Sequence, residues 1–323
     1  MQTTTVSELF SILNQSSILI KKQRQIPYLE ALSATGRYIY EDRIGEEGIK
    51  KELETLYAHF FHEGMTAEEI RRAFQLAILK GMKEAHLPNH ELTPDSLVLL
   101  FGHIVSLLMN ERPFSVLDPA VGTANLLTGI MNQAKAEDVA AYGADTDGLL
   151  LNLAVTNANL QQKDIHFFHQ DGLKPLLIEP CDIVVCDVPV GIYPDKKTAE
   201  TYELNEIGGK AYTHFLFIEQ GIKALKDSGY LLYLIPNRLF SEDRERHFHR
   251  FIHRHAVILA LLQLPLSLFK NQEAAKSVLL LQKKERETAQ ANQALLAEMP
   301  SFSNQEELRR FMRKMDDWFA RRL

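Results

Sequence analysis

Residues 115–127 read Ser-Val-Leu-Asp-Pro-Ala-Val-Gly-Thr-Ala-Asn-Leu-Leu. A short apolar run ends at Asp118, a proline and a single glycine follow, and a helical pattern then begins. This is a strand, a loop and a helix. Gly122 lets the backbone approach a ligand, and the helix start offers unpaired amides. The loop is neither a dinucleotide fingerprint nor a phosphate cradle. It has one glycine where the first needs three, and it lacks the Gly-Lys-Ser/Thr ending of the second. An acid at the strand end repels pyrophosphate and suits a cationic or amine-bearing ligand.

The same alternation continues downstream. Apolar runs at 139–145, 164–168, 182–187 and 229–235 alternate with helical patterns from about 122, 148, 213 and 241. Strands alternating with helices predict βαβ units and a mostly parallel sheet. Two further runs, 257–264 and 276–284, are separated by a segment poor in large apolar residues, which predicts a hairpin-like antiparallel finish. Upstream, residues 1–90 carry apolar positions at three- and four-residue spacing. Thr66 and Glu69 form a capping box, so this segment reads as a helical domain. The tail from about 288 also reads as helical. Ser303 and Glu306 suggest its cap, and Leu308, Phe311, Met312, Met315, Trp318 and Phe319 suggest its packing stripe.

Composition bounds the class. The 323 residues are 46% apolar and 24% charged, as in a globular protein. No run reaches the ~18 apolar residues of a membrane span, and the amino terminus lacks the features of a secretory signal. Cys181 and Cys186, the only cysteines, do not form a zinc pattern. Cys186 lies in an apolar run and reads as a buried, reduced thiol, which fits a cytoplasmic location. The net charge of −6 argues against tight, autonomous DNA binding, although it allows a local basic patch.

Acids close successive strands, and open α/β sheets bind ligands at that edge. Asp145 ends Tyr142-Gly-Ala-Asp145, where an acid can accept hydrogen bonds from ribose hydroxyls. Asp147 is either a second candidate or the N-cap of the next helix. Asp171 and Gly172 make either a plain turn or a site for an adenine amine. Asp187 ends Ile183-Val-Val-Cys-Asp187 and leads into Val188, Pro189, Val190 and Gly191. The run from Arg244 to His255 carries four Arg and four His. It reads either as an amphipathic helix with a solvated basic face or as a phosphate-contacting surface.

Together these residues resemble the S-adenosylmethionine-dependent amino-group methyltransferases. More narrowly, they resemble the adenine-specific N6 DNA methylases, which include the modification subunits of type I restriction systems. The resemblance covers about residues 90–284. It rests on Leu92-Thr-Pro94, on Asp118 through Leu127, on Asp145, on Asp171, on Gly229 through Pro236, and on Leu264 through Phe269 with Ser277 through Lys283. It implies an α/β fold with a doubly wound, mostly parallel, seven-stranded Rossmann-like methyltransferase sheet behind an N-terminal helical domain. The expected division is 1–90 helical, 91–285 methyltransferase and 286–323 helical tail. The implied cofactor is S-adenosylmethionine, held by Thr93, Pro94, Asp118, Pro119, Ala120, Gly122, Asn125, Asp145, Thr146, Asp171 and Gly172. No metal is implied.

The family's catalytic tetrapeptide is [DNS]PP[YFW]. Its first side chain and second carbonyl orient the target amine, and its aromatic stacks on a base taken out of the helix. Here Asp187, Val188 and Pro189 match, while Val190 is not aromatic. Tyr193 could replace the missing ring or point outward. The implied activity is N-methylation of adenine in DNA, with a specificity partner chain, since no target-recognition domain is evident. A protein amide or RNA acceptor, or a module that binds the cofactor without turnover, are the alternatives.

Overall fold

The computed structural model describes residues 2–58, 60–61, 65–86, 92–243, 245–285 and 294–322. The amino-terminal helices are α1 (Gln2–Arg24), α2 (Tyr28–Glu41), α3 (Lys50–Tyr57), α4 (Ala67–Glu84) and α5 (Asp95–Met109). The alternating region follows as β1 (Phe114–Asp118), α6 (Asn125–Gln133), β2 (Val139–Asp145), α7 (Gly148–Leu160), β3 (Ile165–His169), β4 (Cys181–Asp187), α8 (Lys196–Ala199), α9 (Thr213–Ala224) and β5 (Leu225–Pro236). It ends with α10 (Leu239–Glu242), α11 (His247–His255), β6 (Ala256–Gln263), β7 (Lys276–Lys283), β8 (Leu295–Glu298) and α12 (Gln305–Ala320).

The sheet runs β3-β2-β1-β4-β5-β7-β6-β8, eight strands among the described residues. β1 pairs in parallel with β2 and β4, and β4 with β5, while β7 runs antiparallel to β5 and β6. The α/β class, the mostly parallel sheet and the antiparallel finish thus match the sequence pattern. The chain goes from β1 outward to β2 and returns on the other side at β4. That reversal is the topological switch point where such sheets leave a crevice.

The strand count exceeds the expected seven. The added strand is β8, in a tail that was expected to be helical. Leu295-Leu-Ala-Glu298 consists of good helix formers, but β6 has an edge to fill and the segment pairs with it in parallel. The cap of α12 also lies one residue later than expected, since Asn304 accepts from the Glu307 amide at 3.3 Å. The helix expected from about 241 is broken into α10 and α11. Arg246 takes a left-handed φ of 58°, and the Asp243 carboxylate caps α11 through the amides of Phe248 and His249, at 3.1 and 3.0 Å. Arg244 of the basic run lies outside the described residues.

The chain divides into two compact units. The first comprises Met1–Gly102, Val121–Ala134 and Asp145–His169. Its core packs Leu9, Leu13, Leu29, Leu32, Phe60 and Phe74 with Leu153 and Leu160 of α7. The expected capping box at Thr66 and Glu69 is formed. Inside this unit the Arg71 side chain is fully buried. Its guanidinium donates to both Glu68 oxygens at 2.8 and 2.6 Å, to Asp95 at 2.9 Å and to Asn125 Oδ1 at 2.6 Å. Burial alone would lower its pKa, but Glu68 and Asp95 more than offset that and hold the charge firmly in place.

The second unit comprises His103–Ala120, Lys135–Ala144 and Gln170–Leu323. β4 and β5 form its centre, with Ile183, Val184, Val185, Leu231, Leu232 and Leu234 almost wholly buried. Cys181 and Cys186 are free thiols inside β4. Burial pushes the Cys181 thiol up to about 11. Cys186 is pushed well above its ordinary value by burial and then by the neighbouring carboxylates of Asp118 and Asp187.

Two outcomes follow from this packing. Arg71→Met removes the cation shared by Glu68 and Asp95 and leaves the buried Asn125 Oδ1 without its donor, while Asp95 keeps Arg72 and Glu68 keeps Asn132. It should lower unfolding stability by about 1–3 kcal/mol in urea denaturation, and a loss under ~0.5 kcal/mol would contradict the network. Neither thiol should react with Ellman's reagent at pH 8 in the native protein, while both should react in guanidinium.

Candidate active site

In the second unit, three segments meet at the carboxyl edge of β1 and β4. The first is the end of β1. Asp118 is buried, and its Oδ1 accepts from the Ala120 amide at 3.1 Å, which fixes the turn into Pro119. The second is the turn after β3. Gly172 lies so close to this loop that a Cβ would sit 2.0 Å from the Pro119 carbonyl oxygen. Only glycine fits there, so the Asp171-Gly172 turn is held tightly against the loop after β1. Asp171 accepts from the Leu173 amide at 2.9 Å and from the Tyr193 hydroxyl at 2.5 Å.

The third segment follows β4. Asp187 is the last strand residue, and the Val188 amide extends the ladder by donating to the Leu234 carbonyl at 3.2 Å. Val188 is buried, whereas Pro189 and Val190 are exposed. The chain is then pinned to the start of α9. The Tyr193 amide donates to the Ala211 carbonyl at 2.8 Å, and the Thr213 amide donates to the Gly191 carbonyl at 2.9 Å. Tyr193 therefore faces inward, 8% exposed, with its hydroxyl on Asp171. Burial and then Asp171 raise its pKa, so the phenol stays a donor. Its ring does not occupy the exposed loop tip.

One partner of Asp187 had no counterpart in the sequence reading. Lys276, the first residue of β7, forms an ion pair with Asp187 Oδ1, and each side chain is about one-fifth exposed. β7 pairs with β5, and β5 with β4, so the register brings residues far apart in sequence to one strand edge. A lone lysine opening a strand carries no local signal of this role.

In the first unit, Gly122 has a left-handed φ of 53°, and beyond its own chain neighbours no described atom lies within 4 Å of where its Cβ would be. Its amide donates to Asp145 Oδ2 at 2.8 Å, and Asp145 Oδ1 accepts from the Asp147 amide at 2.9 Å. Asp147 is the N-cap of α7, accepting from the amides of Leu149 and Leu150. The Thr146 carbonyl lies 3.1 Å from His169 Nε2. Asn125 opens α6. It accepts from Arg71 and donates to the Thr93 carbonyl at 3.1 Å, just ahead of Pro94 and α5. Thr123, which the sequence reading did not single out, buries a hydroxyl oxygen with no hydrogen-bond partner among the described residues.

Residues 89–319 match the N-6 DNA methylase family. The chain belongs to that family. Residues 7–82 match the YtxK N-terminal helical domain. YtxK of Bacillus subtilis (strain 168), a protein of uncharacterised function, is 40% identical over 327 residues, 99% of each chain. A Listeria monocytogenes protein assigned as a class I S-adenosylmethionine-dependent methyltransferase is 36% identical. It superposes with a TM-score of 0.89 over 98% of this chain and 99% of its own. The modification subunit of a protein assigned as a type I restriction enzyme of Vibrio vulnificus shares the fold at 15% identity and a TM-score of 0.67, over 85% of this chain and 62% of its own. Among the described residues, no helix is long and apolar enough to cross a membrane, and no His, Cys, Asp or Glu cluster is placed to hold a metal ion.

The Asp187–Lys276 pair can be weighed directly. Lys276→Met leaves a half-buried carboxylate without its ammonium, at a cost of about 1–3 kcal/mol. In an Asp187→Asn background the same change should cost clearly less. A urea double-mutant cycle measures the difference, and strict additivity would show that the pair contributes nothing.

Proposed function

We propose that the chain is an S-adenosylmethionine-dependent N-methyltransferase acting on the exocyclic amine of adenine in DNA. The observation that carries this reading is Asp187 at the carboxyl end of β4, with the Val188 carbonyl following and Pro189 stiffening the turn. A side-chain carboxylate and a backbone carbonyl are two acceptors for the two hydrogens of one amine. Accepting both aims the nitrogen lone pair, and the rate gain then comes mainly from orientation.

The cofactor, when bound, supplies an electrophilic methyl group on a sulfonium. The residues fit such a group. Gly122 has open space on its Cβ side, and the buried Thr123 hydroxyl has no hydrogen-bond partner among the described residues, so both suit the carboxylate of an amino acid. Asp145 suits two ribose hydroxyls, and Asp171 and Gly172 suit an adenine amine. Asp118, with Pro119 and Ala120, suits the cationic end. Asn125 and the Arg71 network hold Thr93 and Pro94, and Thr146 continues the Asp145 turn. The division at about residues 90 and 285, a DNA substrate, a specificity partner and a cytoplasmic location belong to the same proposal.

A second reading has a specific observation behind it. The loop tip presents aliphatic Val190 and Ile192, 44% and 61% exposed, and Tyr193 is turned inward. A tip without an aromatic ring suits a non-planar acceptor such as a protein amide.

One experiment separates these readings. Label is transferred from methyl-labelled S-adenosylmethionine to extracts of a strain lacking the gene, followed by separate DNase, RNase and protease digestion. DNase-sensitive label is expected. Protease-sensitive label would favour the amide, and RNase-sensitive label an RNA acceptor. Asp187→Ala should cut transfer by about 10²-fold or more while cofactor affinity stays within a factor of about two. Transfer that survives this change would overturn the catalytic assignment.

A further inference from the structure

We infer that Tyr193 is a positioning residue for cofactor recognition, and that its hydroxyl sets the Asp171 carboxylate to read the 6-amino group of the cofactor's adenine. The inference rests on the cofactor reading above and adds a residue to it. Tyr193 belongs by sequence to the loop after β4, where an aromatic would be sought to stack on an acceptor. The fold assigns it elsewhere, with its ring buried and its hydroxyl 2.5 Å from Asp171 Oδ2.

Three observations make this contact more than a passing hydrogen bond. Asp171 Oδ1 takes the Leu173 amide at 2.9 Å, so both carboxylate oxygens are held and the plane of the group is fixed. A carboxylate offers about four lone-pair directions, so two such bonds orient it without exhausting it. Next, the turn itself is clamped. Gly172 packs against the Pro119 carbonyl, and the Tyr202 hydroxyl binds the Leu173 carbonyl. Finally, Tyr193 cannot easily swing away, because its amide is bound to Ala211 and its neighbour Ile192 bridges to Tyr212. The loop that begins at Asp187 thus holds the acid assigned to adenine, while Pro119 packs against the neighbouring Gly172.

The chemistry predicts a selectivity. A fixed carboxylate accepts from an amine and repels a carbonyl oxygen at the same ring position. The 6-amino ligand S-adenosylhomocysteine should therefore bind better than its 6-oxo analogue, S-inosylhomocysteine. Loss of the Tyr193 hydroxyl should weaken that preference and leave binding of the rest of the ligand alone.

The test is isothermal titration of the full chain with both ligands, for the wild type and Tyr193→Phe. In the wild type, S-adenosylhomocysteine is expected to bind about tenfold or more tighter than the 6-oxo analogue. In Tyr193→Phe its affinity should fall about five- to tenfold, with the analogue unchanged. The ratio of the two affinities is independent of the folded fraction, so partial misfolding cannot mimic the result. Equal weakening of both ligands, or an undiminished preference, would overturn the role of Tyr193. A wild type that binds both ligands equally would overturn the Asp171 assignment and this inference with it. A wild type that binds neither would overturn the cofactor reading itself.

Discussion

A guanidinium with no exposed side-chain surface must have its donors answered, and this requirement organises the first unit. Arg71 is answered from three places: Glu68 on its own helix, Asp95 at the start of α5, and Asn125 at the start of α6. Each answering group fixes something beyond itself. Asn125 passes the constraint on to the Thr93 carbonyl, and Asp95 anchors the turn after Pro94. The amino-terminal helices therefore do more than cover apolar surface, since one of them sets the backbone of two segments assigned to the cofactor. An unpaired charge at this depth would be far costlier than a missing apolar contact, which makes the arrangement close to all-or-none.

The second unit solves a related problem by close approach. Its three site segments are joined by a glycine against a carbonyl, a tyrosine hydroxyl on a carboxylate, and a lysine on another carboxylate. None of these contacts is local in sequence. Each spans at least one strand, and the parallel register of β1, β4 and β5 together with the antiparallel pairing of β7 on β5 is what allows them. A sheet built on apolar side chains thereby sets the distances among polar ones.

This explains what could be read from the chain and what could not. β1, β2, β4 and β5 were legible because each is an apolar run closed by a polar or turn-forming residue, and the acids at Asp118, Asp145 and Asp187 fall at the ends of their strands. β8 was not legible, because Leu295-Leu-Ala-Glu298 has helical composition and becomes a strand only beside the edge of β6. The break between α10 and α11 depends on an Asp243 cap that skips several residues, and the α12 cap chose Asn304 over a better-looking capping box at Ser303. Asp147 forms the N-cap that was one of its two readings. Lys276 and Arg71 carried no local signal, one being an ordinary lysine at the start of a strand and the other an ordinary arginine in an amphipathic helix. Whether Tyr193 faced in or out could not be decided without Ala211 and Asp171, which lie on other elements.

The Asp187–Lys276 pair bears on how such a site could accelerate transfer. Methyl transfer to a neutral amine leaves positive charge on the nitrogen, and a bare carboxylate beside it would stabilise that charge by attraction. With an ammonium on one oxygen, the pair is nearly neutral as seen from the amine, and its attraction is correspondingly small. What the carboxylate retains is direction, since the ammonium and the strand end together fix where its oxygens point. The loop beyond it is likewise fixed, by Leu234 on one side and by Ala211 and Thr213 on the other. Under the proposed methyl transfer, a site built this way would derive its rate from holding an acceptor in line rather than from electrostatic stabilisation of the product charge, and its tolerance for different amines would be set by the shape of the loop tip at Val190 and Ile192.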